Sequence, residues 1–321
     1  MERKEISIVD IDGIKVGHAQ SREGGSGCTV VLCENGAVCG CDVRGGGPAT
    51  RETELLKPVS TNQQVYAVML SGGSAFGLDA GSGAMEYLEE KGIGVEVDKW
   101  KVPIVVGASI FDFPMTDGKY KPDKELGYKA CCNASCNKVE EGNIGAGMGA
   151  TVGKILGAER AMKSGLGTYG IQIGELKVAA IVAVNALGDV IDIHNGKRIA
   201  GVLSEDRKHV ESSVEILYEQ FNKENLFQGN TTIGCVVTNA KLDKAQMNKV
   251  ASMTHNGYAR AISPVHTSGD GDTIFAMTTG NVTASMDMVG VMAAECMANA
   301  INRAVYKAQT VNGFIALCDL Q

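Results

Sequence analysis

The stretch Val178 to Val184 carries only β-branched and alanine side chains, and a run of that kind reads as a buried strand. A strand that is apolar on both faces needs cover on both faces. The chain supplies candidates for that cover. Val282 to Val305 reads as a helix apolar on most sides, hence buried. Another helix places Met247, Val250, Ala251 and Tyr258 on one face. Further strands are expected at Val65–Leu70, Thr231–Val237 and Thr273–Thr278, and Gly188-Asp189 turns into another at Val190–Ile193. Thr29–Cys33 and Ala37–Cys41 read as a hairpin around Asn35-Gly36, a strong turn dipeptide. Helical spacing is also expected from Phe76 to Lys91, stopped by Gly92, from Pro122 to Val139, and from Glu205 to Asn222. Strands and helices alternate irregularly, which favours an α+β arrangement of mixed sheets covered by helices over a doubly wound parallel sheet.

Composition narrows the function. Apolar residues make up 44% of 321, enough for a sizeable core. Thirty Lys+Arg against thirty-seven Asp+Glu give a net charge of -7, without a basic tract, which argues against nucleic acid as a partner. No apolar run is long enough for a signal peptide or a membrane span. The ten cysteines are then expected to be reduced thiols in a cytoplasm. Cys39 and Cys41 would share a strand face, and Cys132 and Cys136 a helix face, but neither pair is matched at metal-finger spacing. No metal or cofactor is expected.

A polar linker from Asn222 to Asn230 ends where a strand begins with Thr231-Thr232-Ile233-Gly234. That junction suits an N-terminal nucleophile. A threonine hydroxyl attacks poorly at neutral pH unless a base takes its proton. A freed α-amine on the same residue, with a pKa of about 8, is such a base. To free it, the hydroxyl first attacks the carbonyl of Asn230, and the resulting ester is hydrolysed. Polar segments before strands are common, so the junction alone does not decide the matter.

More of the chain bears on it. The segments Asp42–Thr53 (DVRGGGPATRET), Leu70–Ala80 (LSGGSAFGLDA), Gly145–Lys154 (GAGMGATVGK), Val184–Val190 (VNALGDV), Gly229–Gly234 (GNTTIG) and His266–Phe275 (HTSGDGDTIF) occur in order. In these the sequence resembles the self-processing family of D- and L-aminopeptidases, β-peptidyl aminopeptidases and nylon-oligomer endohydrolases. The resemblance implies a single αββα sandwich, cut between Asn230 and Thr231 into an α chain of 1–230 and a β chain of 231–321. It implies a small peptide or amide substrate and a homo-oligomer, a tetramer. It also implies an amide hydrolase working through an acyl-enzyme. A 6-aminohexanoate oligomer hydrolase is the alternative within the family. An acyltransferase of the ornithine kind, or a scaffold that has lost turnover, is a further alternative.

The resemblance assigns roles. Thr231 is the nucleophile, and Lys154 the active-site lysine, whose cation would hold a nearby amine neutral. Asn185 is the oxyanion residue, a donor to the oxygen that becomes negative. Asp270 and Asp272 match the acidic pair of the nylon-oligomer branch, which would orient the α-ammonium and relay its proton. Each has a plainer reading: a surface lysine, a turn asparagine, and a polar Asp-Gly-Asp turn too poor in oxygen ligands for calcium. Some relatives carry Tyr where this chain has Phe111, which bears on substrate range. Two phosphate-loop patterns are dismissed. Gly145-x-Gly147-x-x-Ala150 does not follow an expected strand, and Gly153-Lys154 lacks the glycine and the Ser/Thr of a nucleotide loop.

Overall fold

The computed structural model describes residues 2–21, 23–221 and 229–320. Of the expected linker, residues 222–228 lie outside them. The apolar run falls in the strand Leu176–Asn185. This strand pairs antiparallel with Leu166–Ile173 on one side and with Thr231–Ala240 on the other. Thr231–Ala240 then lies parallel to Thr273–Val282. The next neighbour is the far end of one long strand, Ser26–Val43. The near end of that strand belongs to a second group, between Lys15–Ser21 and Val65–Ser71, with Val105–Ser109 beyond.

Side-chain alternation builds four layers. Ala179, Ile181 and Ala183 point into the same apolar cluster as Ile233, Cys235 and Val237, and as Val31, Val68 and Leu70 of the second group. That cluster is the filling between two sheets. The alternate residues Val178, Ala180, Val182 and Val184 face the helices Lys244–Ala261 and Met286–Tyr306. On the outer face of the second group, Val30, Leu32, Ala67 and Met69 meet the helices Ala80–Glu90 and Lys124–Cys132. The result is the αββα sandwich that the family resemblance implied. Fully burying a side chain such as Ile181 stabilises it by roughly 1.5–3 kcal/mol. Asp243 caps Lys244–Ala261 by accepting from the Gln246 N–H, while the Gln246 amide returns to Asp243.

Three expectations change. Asn35-Gly36 is not a hairpin. Gly36 has φ +79°, and the register with Val65–Ser71 shifts between Leu32 and Ala37 within one continuous strand. The same left-handed glycine that closes a hairpin here makes a bulge, and it carries the strand from one sheet into the other. The helix expected to reach Val139 ends at Cys132, so Cys136 shares no helix face with it. The helix expected over Glu205–Asn222 is confined to Ser213–Glu219, and Tyr218 and Phe221 are exposed.

Candidate active site

Thr231 is the first residue of its strand and pairs across the sheet with Asn185, the last residue of its own. Directly opposed residues of an antiparallel pair have their side chains on one face. Both continue the rows that fill the space between the sheets, Thr231 with Ile233 and Asn185 with Ala183. The pair therefore sits where the inter-sheet core ends. Thr231 is 4% exposed and Asn185 is fully buried.

The Asp270–Asp272 turn closes over this end. The strand from Thr273 runs parallel to that from Thr231, so Asp270 bridges to Asn230 and Asp272 lies beside Thr232. The Gly271 N–H donates to the Asn230 carbonyl at 2.9 Å. The Thr231 hydroxyl donates to that same oxygen. The carbonyl that a self-cleaving threonine would attack is thus held by a backbone donor and touched by the hydroxyl. A side chain at 271 has no room, because a Cβ there would stand 2.7 Å from Thr231 Oγ1.

The carboxylates are treated differently by their surroundings. Asp272 accepts from the Thr232 N–H at 2.7 Å through one oxygen. Its other oxygen accepts from the backbone N–H of His266 at 3.1 Å and from the His266 ring at 2.9 Å. Asp270 accepts from the Thr267 N–H at 2.6 Å. Burial, and secondarily the charge of Asp272, push its pKa up to about 6. Lys154 is partly exposed over its length, yet burial of its ammonium lowers its pKa to about 7 against the pull of Asp270, Asp112 and Asp272. Lys154 Nζ donates to the Asn185 carbonyl at 2.9 Å, so lysine, asparagine and threonine form one connected row.

The Asn185 amide is partly committed. Its oxygen accepts from the Thr151 N–H at 3.0 Å, and its nitrogen donates to the Phe111 carbonyl at 2.9 Å. One N–H of that nitrogen has no acceptor among the described residues, and an oxyanion needs one.

The five residues singled out from the sequence therefore meet at one place, and so do the motifs around them. Gly45 of the RGGG segment lies flat against the turn, where a Cβ would stand 2.2 Å from the Asp270 carbonyl. Asp112 accepts from Ser26 Oγ at 2.6 Å and from the Gly73 N–H at 2.8 Å, and its charge reaches Lys154. Gly145–Gly147 forms one turn of 3-10 helix with no strand leading into it, as expected of a false nucleotide loop. Among the described residues there is no cluster that would hold a metal ion. Two groups at this place escaped the sequence reading. The Gly271 N–H is a backbone group, visible only through the requirement for glycine there. His266 stood inside a matching segment without a role.

A family model described as peptidase family S58 matches residues 7–316. An uncharacterized aminopeptidase of Mycobacterium leprae is 39% identical over 98% of this chain and 94% of its own. A 6-aminohexanoate-oligomer endohydrolase of Kocuria sp. is 30% identical over 93% of this chain and 85% of its own. Among solved structures, the L-aminopeptidase D-Ala-esterase/amidase of Ochrobactrum anthropi, described as a variant of the Ntn-hydrolase fold, superposes with a TM-score of 0.72. It is 18% identical, over 94% of this chain and 86% of the other. A β-aminopeptidase of Burkholderia sp. gives 0.68 at 19% identity, over 95% and 88%. These place the chain in the Ntn-hydrolase fold.

Proposed function

The chain belongs to peptidase family S58 and is an amide-bond hydrolase, and on that premise we propose that it activates itself by cutting between Asn230 and Thr231. The observation that carries this reading is the Asn230 carbonyl, held by the Gly271 N–H with the Thr231 hydroxyl against it. In the first step Thr231 Oγ attacks the Asn230 carbonyl carbon. Its proton goes to a neutral Lys154, whose pKa of about 7 leaves that form well populated at neutral pH. The Gly271 N–H stabilises the oxygen as it becomes negative. The Thr231 nitrogen leaves with a proton, and Asn230 becomes an ester on Oγ. Water hydrolyses the ester to a carboxylate at Asn230, a free hydroxyl and a free α-amine.

The cut serves two ends. It creates the base for turnover, and it lets Gly229 and Asn230 leave a site in which Asn230 is only 1% exposed. In turnover the α-amine takes the Thr231 proton while Oγ attacks a substrate amide. The substrate's amine departs with that proton, and water completes hydrolysis of the acyl-enzyme. Asn185 offers its uncommitted N–H to the oxyanion, Lys154 favours the neutral α-amine when charged, and Asp270 and Asp272 orient that amine.

The substrate is a short peptide or amino-acid amide with a free amine, in keeping with the 39% identity to a protein named an aminopeptidase. Hydrolysis of linear 6-aminohexanoate oligomers is the second reading, favoured by the Asp270-Gly271-Asp272 turn and by the relatives of that name. A panel of amino-acid p-nitroanilides, β-amino-acid amides and nylon oligomers separates the two. The ten free thiols fit a reducing cytoplasm. Exposed Val97 and Trp100 on one hairpin fit a homo-oligomer, a tetramer by the family's habit, and sedimentation tests that.

Two outcomes are expected here. With Gly271→Ala, the added Cβ presses on Thr231 Oγ1, and the cut slows by roughly 100-fold or more, as for a displaced oxyanion donor. A time course of intact mass reads it. For Asp270, the raised pKa means that the carboxylate forms only above about 6, so turnover falls as pH drops through that value. The linked stability has the opposite sense. Between the ordinary carboxyl value of 3.8 and about 6 the folded state binds more protons than the unfolded, so holding the charge destabilises the fold above that window. Asp270→Asn is therefore expected to lose turnover yet raise Tm at pH 7.5, with the gain gone by pH 4.

A further inference from the structure

We propose that His266 is the positioning residue of this site, clamping Asp272 so that the acidic pair meets the freed α-amine of Thr231 in one arrangement. The inference rests on the reading of Thr231 as the new N-terminus. Both the backbone N–H and the ring Nδ1 of His266 reach the same oxygen of Asp272, at 3.1 Å and 2.9 Å. A carboxylate only accepts, so Nδ1 carries the proton. The other oxygen takes the Thr232 N–H at 2.7 Å, one residue from the nucleophile. Asp272 is thereby fixed at both oxygens, with one of its anchors on the nucleophile's own strand.

The chain maintains this clamp in an unfavourable conformation. His266 has φ +60°, a left-handed backbone that a side chain seldom adopts outside Asn, Asp and His. That conformation accompanies the convergence of two donors on one oxygen. Its ring is enclosed on two sides by one helix. His255 meets it edge-on with centroids 4.7 Å apart, and Tyr258 stacks on it at 6.0 Å. Tyr258 in turn donates to the Thr232 carbonyl at 3.2 Å, so one aromatic cluster holds both the clamp and the nucleophile strand. Asp272 also contributes to the raised pKa of Asp270, so its placement governs its neighbour too.

Three substitutions separate positioning from mere structure. Asn tolerates the left-handed backbone, and its Nδ2 stands near where Nδ1 stood. Gly tolerates the backbone but has no side-chain donor. Gln has the donor, displaced by one methylene. Each is purified, checked for the cut by intact mass, and assayed for kcat, KM and Tm. His266→Gly and His266→Gln are expected to lose roughly 10- to 100-fold in kcat, up to the cost of misplacing a reacting group by about 1 Å. KM stays near the wild type, and Tm falls in all three, because none refills the space between His255 and Tyr258 and Gln is also strained at φ +60°, yet His266→Asn recovers most of kcat. Gly and Gln variants at wild-type kcat overturn the inference. So do kcat and Tm falling in step across all three. An uncut but active wild-type chain instead overturns the self-cleavage reading, so the two failures are distinguishable.

Discussion

Thr231→Ala is expected to abolish amide hydrolysis, with kcat falling by about 10⁴-fold or more, because nothing else at the site replaces the attacking oxygen. The chain should also stay whole. The substitution removes one hydroxyl and one methyl from a position 4% exposed, so the fold survives, with a modest loss in Tm. Thr231→Ser keeps an oxygen on the same carbon and is expected to cut itself and turn over, more slowly, since the Thr231 methyl no longer fixes the rotamer. The Ala/Ser contrast matters because both alter packing, whereas only Ala removes the nucleophile. Equal loss in both variants points to packing rather than chemistry.

Lys154→Met is expected to have the next largest effect, with self-cleavage slowed by roughly 10²- to 10⁴-fold, the range for loss of a general base. Methionine has similar length and carries no charge, so it fits a site whose burial already disfavours the ammonium. For the wild type, the cut should accelerate as pH rises through about 7, where Lys154 loses its proton. The sign follows from the direction of the shift: a lysine lowered from 10.5 is neutral above its new value, and the neutral form is the base. Stability moves the same way. The unfolded chain binds this proton up to a higher pH, so the fold gains stability as pH rises above about 7. Lys154→Met should remove the pH dependence of any residual cutting. Intact mass sampled over hours between pH 5.5 and 8.5 reads both effects.

Much of the fold was legible because period decides burial. The run from Val178 to Val184 demanded cover on both faces, and the structure gives it the inter-sheet core on one and two helices on the other. Asn35-Gly36 was misread because its local signal, a left-handed glycine after asparagine, is the same in a hairpin and in a bulge. Only the partners of the strand decide between them. The helix expected over Glu205–Asn222 is too long because Val210, which fits the spacing, bridges to Leu203 ahead of the Ser212 cap, and Phe221, which also fits it, lies exposed beyond Glu219.

The site was legible in a different way. Thr231, Lys154, Asn185, Asp270 and Asp272 came from matching motifs, and no periodicity would have paired Asn185 with Thr231 across the sheet. That pairing needs the register of two strands far apart in the chain. The Gly271 N–H lay hidden because a backbone donor has no letter in a sequence. His266 lay hidden because its contact is with another residue's carboxylate rather than with Thr231. Asn185 shows the converse: its letter suggested an oxyanion donor, while the fold also uses its amide to tie Thr151 to Phe111. Asn185→Ala therefore unpairs the buried Thr151 N–H and the half-buried Phe111 carbonyl as well as removing a donor, and its loss of turnover has to be read beside its Tm.

If the Asn230–Thr231 bond is the enzyme's first substrate, intact mass with N-terminal sequencing of the purified wild-type chain under denaturing conditions reads it directly. Two fragments are expected, one ending at Asn230 and one beginning at Thr231, appearing together and in step with hydrolytic activity. A single 33.6 kDa chain that hydrolyses amides without being cut, with a Thr231→Ala variant equally active, would contradict it.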